Sequence, residues 1–330
     1  MLPAFMWVTG IIQPAWHAGE RSLKTSPTSK IQINTGINMT PNDFNGLPVH
    51  VLENTFLRLE TLTNSPRIVR LIPAGKSNLF ANLGSQSQET PSGSFFFHGG
   101  HRLWHSPEAL PRTYMPDNEG SVLSVIPGGV RIDQPTEPWT NISKSLEIHL
   151  NPNQPQVMVQ HELRNDGPWT VEFAPWALTM FKQGGVAIFP QPQGNADPAG
   201  LLANRHMSIW PYNLSSDPRL VLRDDCILLH AQPSLPPIKI GYFNPHGWMG
   251  YWIDGVLFVK RYEAVSDGNY PDWGCNSESY CNHQFIELET LGQLVKLAPG
   301  ATVVHHETWE LYDSLDQTFI PAEIKEILTR

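Results

Sequence analysis

YWIDGVLFVKRY, residues 251–262, decides the fold. Asp254 and Gly255 separate two apolar runs and both tolerate positive φ, so the stretch reads as a β-hairpin with a two-residue turn. Similar short runs, rich in β-branched and apolar residues, recur on both sides. They include VHVLENTFLRLETLTNSPRIVRLIPAG (49–75), SKSLEIHLNP (143–152), QVMVQHELRNDGPWTVEFAPWALTMF (156–181), GGVAIFPQ (184–191), FIELETLG (285–292) and TVVHHETWELYD (302–313). Turn residues punctuate them roughly every 8–12 positions, the signature of a β-sandwich or barrel. So many strands in one body imply an all-β fold of two large antiparallel sheets. Only IPAEIKEILTR (320–330) reads as a helix: Pro321 suits its first turn, and Ile324, Ile327 and Leu328 share one face. No internal repeat or composition shift divides 44–330, which we read as one domain preceded by an N-terminal extension, 1–43.

Composition narrows the function. The 330 residues are 40% hydrophobic and only 16% charged, enough apolar material for a large core. The net charge of −9, with no Lys/Arg run, argues against nucleic acid as a partner. No apolar run reaches the roughly 18 residues of a membrane span, so no membrane partner is expected. Ala15 and Ala18 have the small-residue spacing of a leader cleavage site, but no Lys or Arg precedes Arg21. The compartment stays open between cytoplasmic and periplasmic or secreted. Cys226, Cys275 and Cys281 are too few for a disulfide framework, although the last two can pair with each other.

Three segments carry chemistry. In FIELETLG, strand alternation puts Glu287 and Glu289 on one face, roughly 7 Å apart; their repulsion raises one pKa and suits a general acid or base. In SFFFHGGHRLWHSPEALPRTYMPDN (94–118), His101, His105, Arg102, Trp104, Arg112, Tyr114, Asp117 and Asn118 crowd a turn-rich region. Paired donors and acceptors for hydroxyls beside flat apolar faces for rings are what a sugar site needs. Arg102 can equally form a structural ion pair with Glu108 or Asp117. In YPDWGCNSESYCNH (270–283), Glu278 is a candidate ligand-binding carboxylate. The spacing there is neither that of an EF-hand nor of H-E-x-x-H, so no metal is expected. Trp210, in WPYNLSSDPR (210–219), joins the candidate sugar contacts. Nucleotide fingerprints, a Walker loop and a G-x-S-x-G elbow are all missing, and no cofactor is expected.

The order of segments resembles that of galactose mutarotase-like (aldose 1-epimerase-like) proteins. The resemblance rests on 52–83, on 159–181, and on LETL (288–291) followed by LAPGATVVHHETWEL (297–311). A bacterial family within that superfamily is resembled more closely, through GGHRLW (99–104), PRTYMPDN (111–118), APWALT (174–179), WPY…SDPR (210–219) and GCN-x-E (274–278). The resemblance implies a β-supersandwich that takes a mono- or oligosaccharide in a concave cleft. It places the catalytic base on Glu289, which would take the anomeric proton while a histidine protonates the ring oxygen. The position matching that histidine is Trp176, and an indole cannot shuttle a proton. His101 or His105 is therefore the expected acid, with Trp176 among the sugar contacts. Three readings follow: an isomerase acting at the anomeric centre, a non-catalytic sugar-binding protein, and a lyase or hydrolase of oligosaccharides.

Overall fold

The 251–262 stretch forms the expected hairpin. Trp248–Ile253 and Val256–Tyr262 pair antiparallel, and Asp254 (φ 52°) and Gly255 (φ 77°) make the turn. The computed structural model of the protein describes residues 43–233 and 236–313. The expected C-terminal helix and, but for Asp43, the extension lie outside these residues.

Among the described residues two large antiparallel sheets, of eleven and ten strands, dominate, beside a separate two-stranded ribbon. At the centre of the larger sheet, Gly100–Ser106, Val171–Lys182, Phe285–Leu291, Ser277–Cys281 and Ile238–Tyr242 lie side by side. The hairpin belongs to the second sheet, next to Thr302–Tyr312, Gln156–Asn165 and Ile142–Leu150. One four-residue helical turn, Pro271–Gly274, is the only α-helical element described. No described helix is long and apolar enough to cross a membrane.

Local chemistry explains how the central strands meet. Pro175 lacks an N–H, and it falls where its strand's pairing passes from Phe285–Leu291 to Val295–Leu297, so little of the ladder is lost. Gly100 opens its strand at φ 67°, and a Cβ there would lie 2.0 Å from the Ile68 carbonyl oxygen. The paired glycines of GGHRLW therefore let the chain enter the sheet beside Ile68–Pro73.

The inner face of the larger sheet supplies Leu103, Phe181, Ile286 and Leu288 to the main core, where they meet Leu146, Val159, Phe258 and Trp309 of the second sheet. Full burial of each such side chain is worth roughly 1.5–3 kcal/mol. A polar network is embedded in this core. His101 Nε2 lies 2.7 Å from His161 Nε2, His101 Nδ1 lies 2.8 Å from Thr179 Oγ1, and His161 Nδ1 lies 3.0 Å from the His305 carbonyl oxygen. A carbonyl only accepts, so Nδ1 of His161 carries its proton. A neutral His161 then accepts at Nε2 from His101, which accepts at Nδ1 from the Thr179 hydroxyl. Lys260 Nζ sits 3.0 Å from Glu307 and donates to the Leu288 carbonyl at 3.1 Å. Trp309 Nε1 and Thr290 Oγ1 also donate to Glu307.

His101, His161 and Glu307 have ligand atoms within 4.8 Å of one another. The two imidazole nitrogens are nevertheless closer than the roughly 3.3 Å that two zinc–nitrogen bonds of about 2.0–2.1 Å subtend in a tetrahedron. Glu307, moreover, already serves Lys260. The cluster is a hydrogen-bonded network.

Burial lowers the pKa of all three histidines: His161 to about 4, His305 to about 3, and His101 well below the ordinary imidazole value. Each binds a proton more readily unfolded than folded. Taken singly, each contributes stability that is fully present above about pH 6.5 and is lost as pH falls towards its folded value. We expect the His161 ring to remain neutral at pH 5.5 and to titrate near pH 4 in a ¹⁵N NMR titration; a folded-state midpoint near 6.5 would contradict this packing.

Candidate functional site

The other face of the larger sheet is built by register. Leu178 pairs with Arg102 on one side and Glu289 on the other, and Glu289 pairs with Glu278. In the next row Trp176 lies between Trp104 and Leu291. Met180 faces Glu287. Cross-strand partners share a face, so these residues project together, away from the main core. They meet a cavity of about 390 Å³, within the roughly 300–1,000 Å³ of small-molecule sites. Arg102, Trp104, Trp176 and Glu287 line its floor, and Lys239, Trp210 and Tyr212 contribute from the neighbouring strand and loop. Tyr114 and Glu108 complete a wall, the tyrosine hydroxyl donating to the carboxylate.

Aromatic contacts fix the walls. Trp104 packs against Trp176 (ring centroids 5.3 Å apart), Tyr114 (5.0 Å) and Phe95 (5.6 Å). The Arg102 guanidinium lies 4.2 Å over the Trp104 ring and donates from Nη2 to Glu287 Oε1 at 2.8 Å. Lys239 Nζ lies 4.8 Å from the ring centres of both Trp176 and Trp210. The same ammonium is 2.8 Å from Glu278 Oε2 and 3.0 Å from Glu289 Oε2. Trp176 thus offers Lys239 its ring face and, at 2.9 Å, gives Glu289 its indole N–H. Gly241 makes room for this group, since a Cβ there would lie 2.9 Å from Glu278 Cγ.

The charges are strongly coupled. Burial would lower the pKa of Lys239, but the two carboxylates outweigh it and raise it well above the usual lysine value. Burial, with Glu289 adding to it, pushes Glu278 well above the carboxylate range against the pull of Lys239. Glu287 rises to about 7: burial dominates, Arg102 opposes it and Glu289 reinforces it.

Several expectations are corrected. His101 and His105 alternate with Arg102 and Trp104 and so point to the opposite side of their strand. His101 is fully buried against His161, and His105 Nε2 lies 3.5 Å from Glu137. Neither reaches the cavity. Glu289 shares the cavity face, as alternation requires, but it is 0% exposed behind Trp176 and Lys239; of the two carboxylates on this strand, the one that lines the cavity is Glu287. Glu278 likewise sits behind the wall, on Lys239. Asp117 forms a buried ion pair with Arg67 (2.8 Å), Asn118 donates to the Ser94 carbonyl, and Arg112 lines a separate cleft with Trp139. The Arg102 partner is neither Glu108 nor Asp117 but Glu287. Cys275 and Cys281 are free and buried. Arg102, Trp104, Tyr114, Trp176, Trp210 and Glu287 are brought together. Sequence reading missed Lys239. Its one signal is a lone lysine in the otherwise apolar strand IKIGY (238–242), where an unpaired ammonium would be costly.

Neither a protein-family model nor a curated protein matches the sequence. Solved structures do match. The galactose mutarotase-like protein of Lactobacillus casei superimposes with a TM-score of 0.54 over 80% of this chain and 100% of that one, at 11% identity. The fold is galactose mutarotase-like. A galactose mutarotase related enzyme of Lactobacillus acidophilus shares it (TM-score 0.51, 8% identity, 81% of this chain and 98% of that one). So does a TPR-domain containing protein of Parabacteroides distasonis (TM-score 0.58, 12% identity, 84% of this chain); the present chain spans about half of that protein, 49%. At such identities the galactose mutarotase-like fold is shared and the chemistry is read from the side chains.

Lys239→Ala leaves Glu278 and Glu289 adjacent and buried without a cation. We expect a loss of about 3–5 kcal/mol at pH 7, measured by urea denaturation, shrinking towards pH 5, where the unfolded chain also begins to protonate its carboxylates. A loss below about 1 kcal/mol would show that the ammonium is not what balances the pair.

Proposed function

We propose that this chain is a carbohydrate-binding protein whose cavity takes a sugar ring. The observation that carries the reading is the cavity itself: tryptophan and tyrosine faces around an Arg102–Glu287 pair, on a face set by strand register. Flat apolar faces suit the C–H face of a sugar, and the guanidinium and carboxylate supply donors and an acceptor for its hydroxyls. The galactose mutarotase-like fold supports the same reading by analogy.

A second reading, proton transfer at the anomeric centre, is favoured by one observation. Glu287 is a cavity-lining carboxylate held near pH 7, the range that lets one group accept and return a proton. In this reading Glu287 replaces Glu289 as base, and the neutral Tyr114 phenol, turned from Glu108 to the ring oxygen, replaces the histidine as donor. Burial, reinforced by Glu108, raises the pKa of Tyr114 and keeps it protonated. Cleavage of uronate polymers is disfavoured, because both lining cations, Arg102 and Lys239, already face carboxylates. The sugar is therefore expected to carry no acid group.

The test measures binding of glucose, galactose, mannose and glucuronate by calorimetry, and anomer exchange of the aldoses by NMR. We expect a neutral sugar to bind and Trp104→Ala to weaken it about tenfold or more. If exchange is accelerated, it should rise through about pH 7 as Glu287 loses its proton and drop at least a hundredfold in Glu287→Gln. Binding with no acceleration leaves a non-catalytic binder. Glucuronate as the preferred ligand, or no sugar binding, would refute the reading.

A further inference from the structure

Trp210 is a wall of two cavities. Beyond it lies a second cleft of about 490 Å³, to which Trp210, Pro211, Ile209, His206, Asp272 and Trp273 contribute. Trp273 is 92% exposed. It also stands at φ 68°, directly after Asp272 at φ 51°, so two successive residues with side chains are left-handed. L-residues other than glycine visit this region rarely, and then mostly as Asn or Asp.

The turn that holds them is pinned from below. The Cys275 N–H donates to the Pro271 carbonyl at 2.8 Å. The Asp272 carbonyl accepts from Ser208 Oγ and from Cys275 Sγ, both at 3.0 Å. Ser208 lines the same cleft and Cys275 is fully buried, so the strained backbone is anchored to the sheet. Trp273 thus combines an unfavourable backbone with an indole left in water, and neither benefits the fold. Strain that the surroundings maintain points to a use outside the chain.

We propose that this cleft is a second saccharide subsite, with Trp273 as the platform beneath the ring. The ligand is then a chain of at least two sugar units, running from the main cavity past Trp210. A pyranose matches the site because one face is C–H and apolar while its rim is hydroxyl. The Trp273 indole offers a flat apolar surface, and Asp272 and His206 offer polar groups beside it. The two cavities share Trp210, so a free monosaccharide would leave one of them empty.

This inference rests on the reading of the main cavity as a sugar site, and the experiment separates the two. Glucose, galactose and N-acetylglucosamine, each with its 1,4-linked trimer, are titrated into the intact protein by calorimetry, with tryptophan emission followed in parallel. We expect one trimer to bind at least about tenfold tighter than its monomer, equal to 1.4 kcal/mol. Trp273→Ala should abolish that gain and leave monomer affinity unchanged, while Trp273→Phe retains part of it. The trimer should shift emission further to the blue than its monomer does, and that difference should vanish in Trp273→Ala. Equal affinity for monomer and trimer, or a gain that survives Trp273→Ala, overturns the subsite and leaves the main cavity standing. Absence of all binding overturns both. A dimer that dissociates in Trp273→Ala with saccharide affinities unchanged would assign the indole to contact between copies, and would also overturn the subsite.

Discussion

The ammonium of Lys239 balances the whole cavity side of the larger sheet. Glu278 and Glu289 are direct cross-strand partners, an arrangement that destabilises a sheet when both are ionised. One cation 2.8 and 3.0 Å from their oxygens makes it tolerable. The ammonium is held by two indoles, one of which also hydrogen-bonds Glu289. Charge, ring faces and hydrogen bonds therefore constrain each other, and the floor of the cavity is stiff before any ligand arrives. Such pre-positioning lowers the cost of ordering a binding site.

The opposite face carries an equally dense polar group. Lys260, Glu307 and three neutral histidines are sealed between the sheets, and Lys260 reaches the carbonyl of Leu288, the residue between Glu287 and Glu289. The strand Phe285–Leu291 is thus clamped on both sides, by ionic groups within the core and by ionic groups at the cavity. Breaking either would leave a buried charge unpaired, which costs more than the pair itself contributes.

Much of the fold was legible in the sequence because its signals are local. Asp254–Gly255, the alternation in FIELETLG and the recurring turn residues each act within a few positions, and the two large sheets follow from their number. Part of the candidate cavity lining was legible for the same reason: Arg102, Trp104, Tyr114, Trp176, Trp210 and Glu287 do meet at one cavity. The remainder depends on pairing that no local pattern reveals. The turn signals around GHRLWHS hide a fully buried strand, whose alternation separates His101 and His105 on the core side from Arg102 and Trp104 on the cavity side. Lys239 and its two carboxylates come from three strands, and only the tertiary register brings them to one point.

The double duty of Trp176 has a consequence for altering this molecule. The resemblance to mutarotases sets a histidine at this position, and installing one looks like a single conservative edit towards that chemistry. An imidazole at 176 would keep a donor to Glu289, since its Nε2 falls where the indole Nε1 stands, but would give up the benzo half of the face under Lys239. The ring at 176 touches both the cation and a carboxylate that it balances, so residues 176, 239 and 289 constrain one another's replacement.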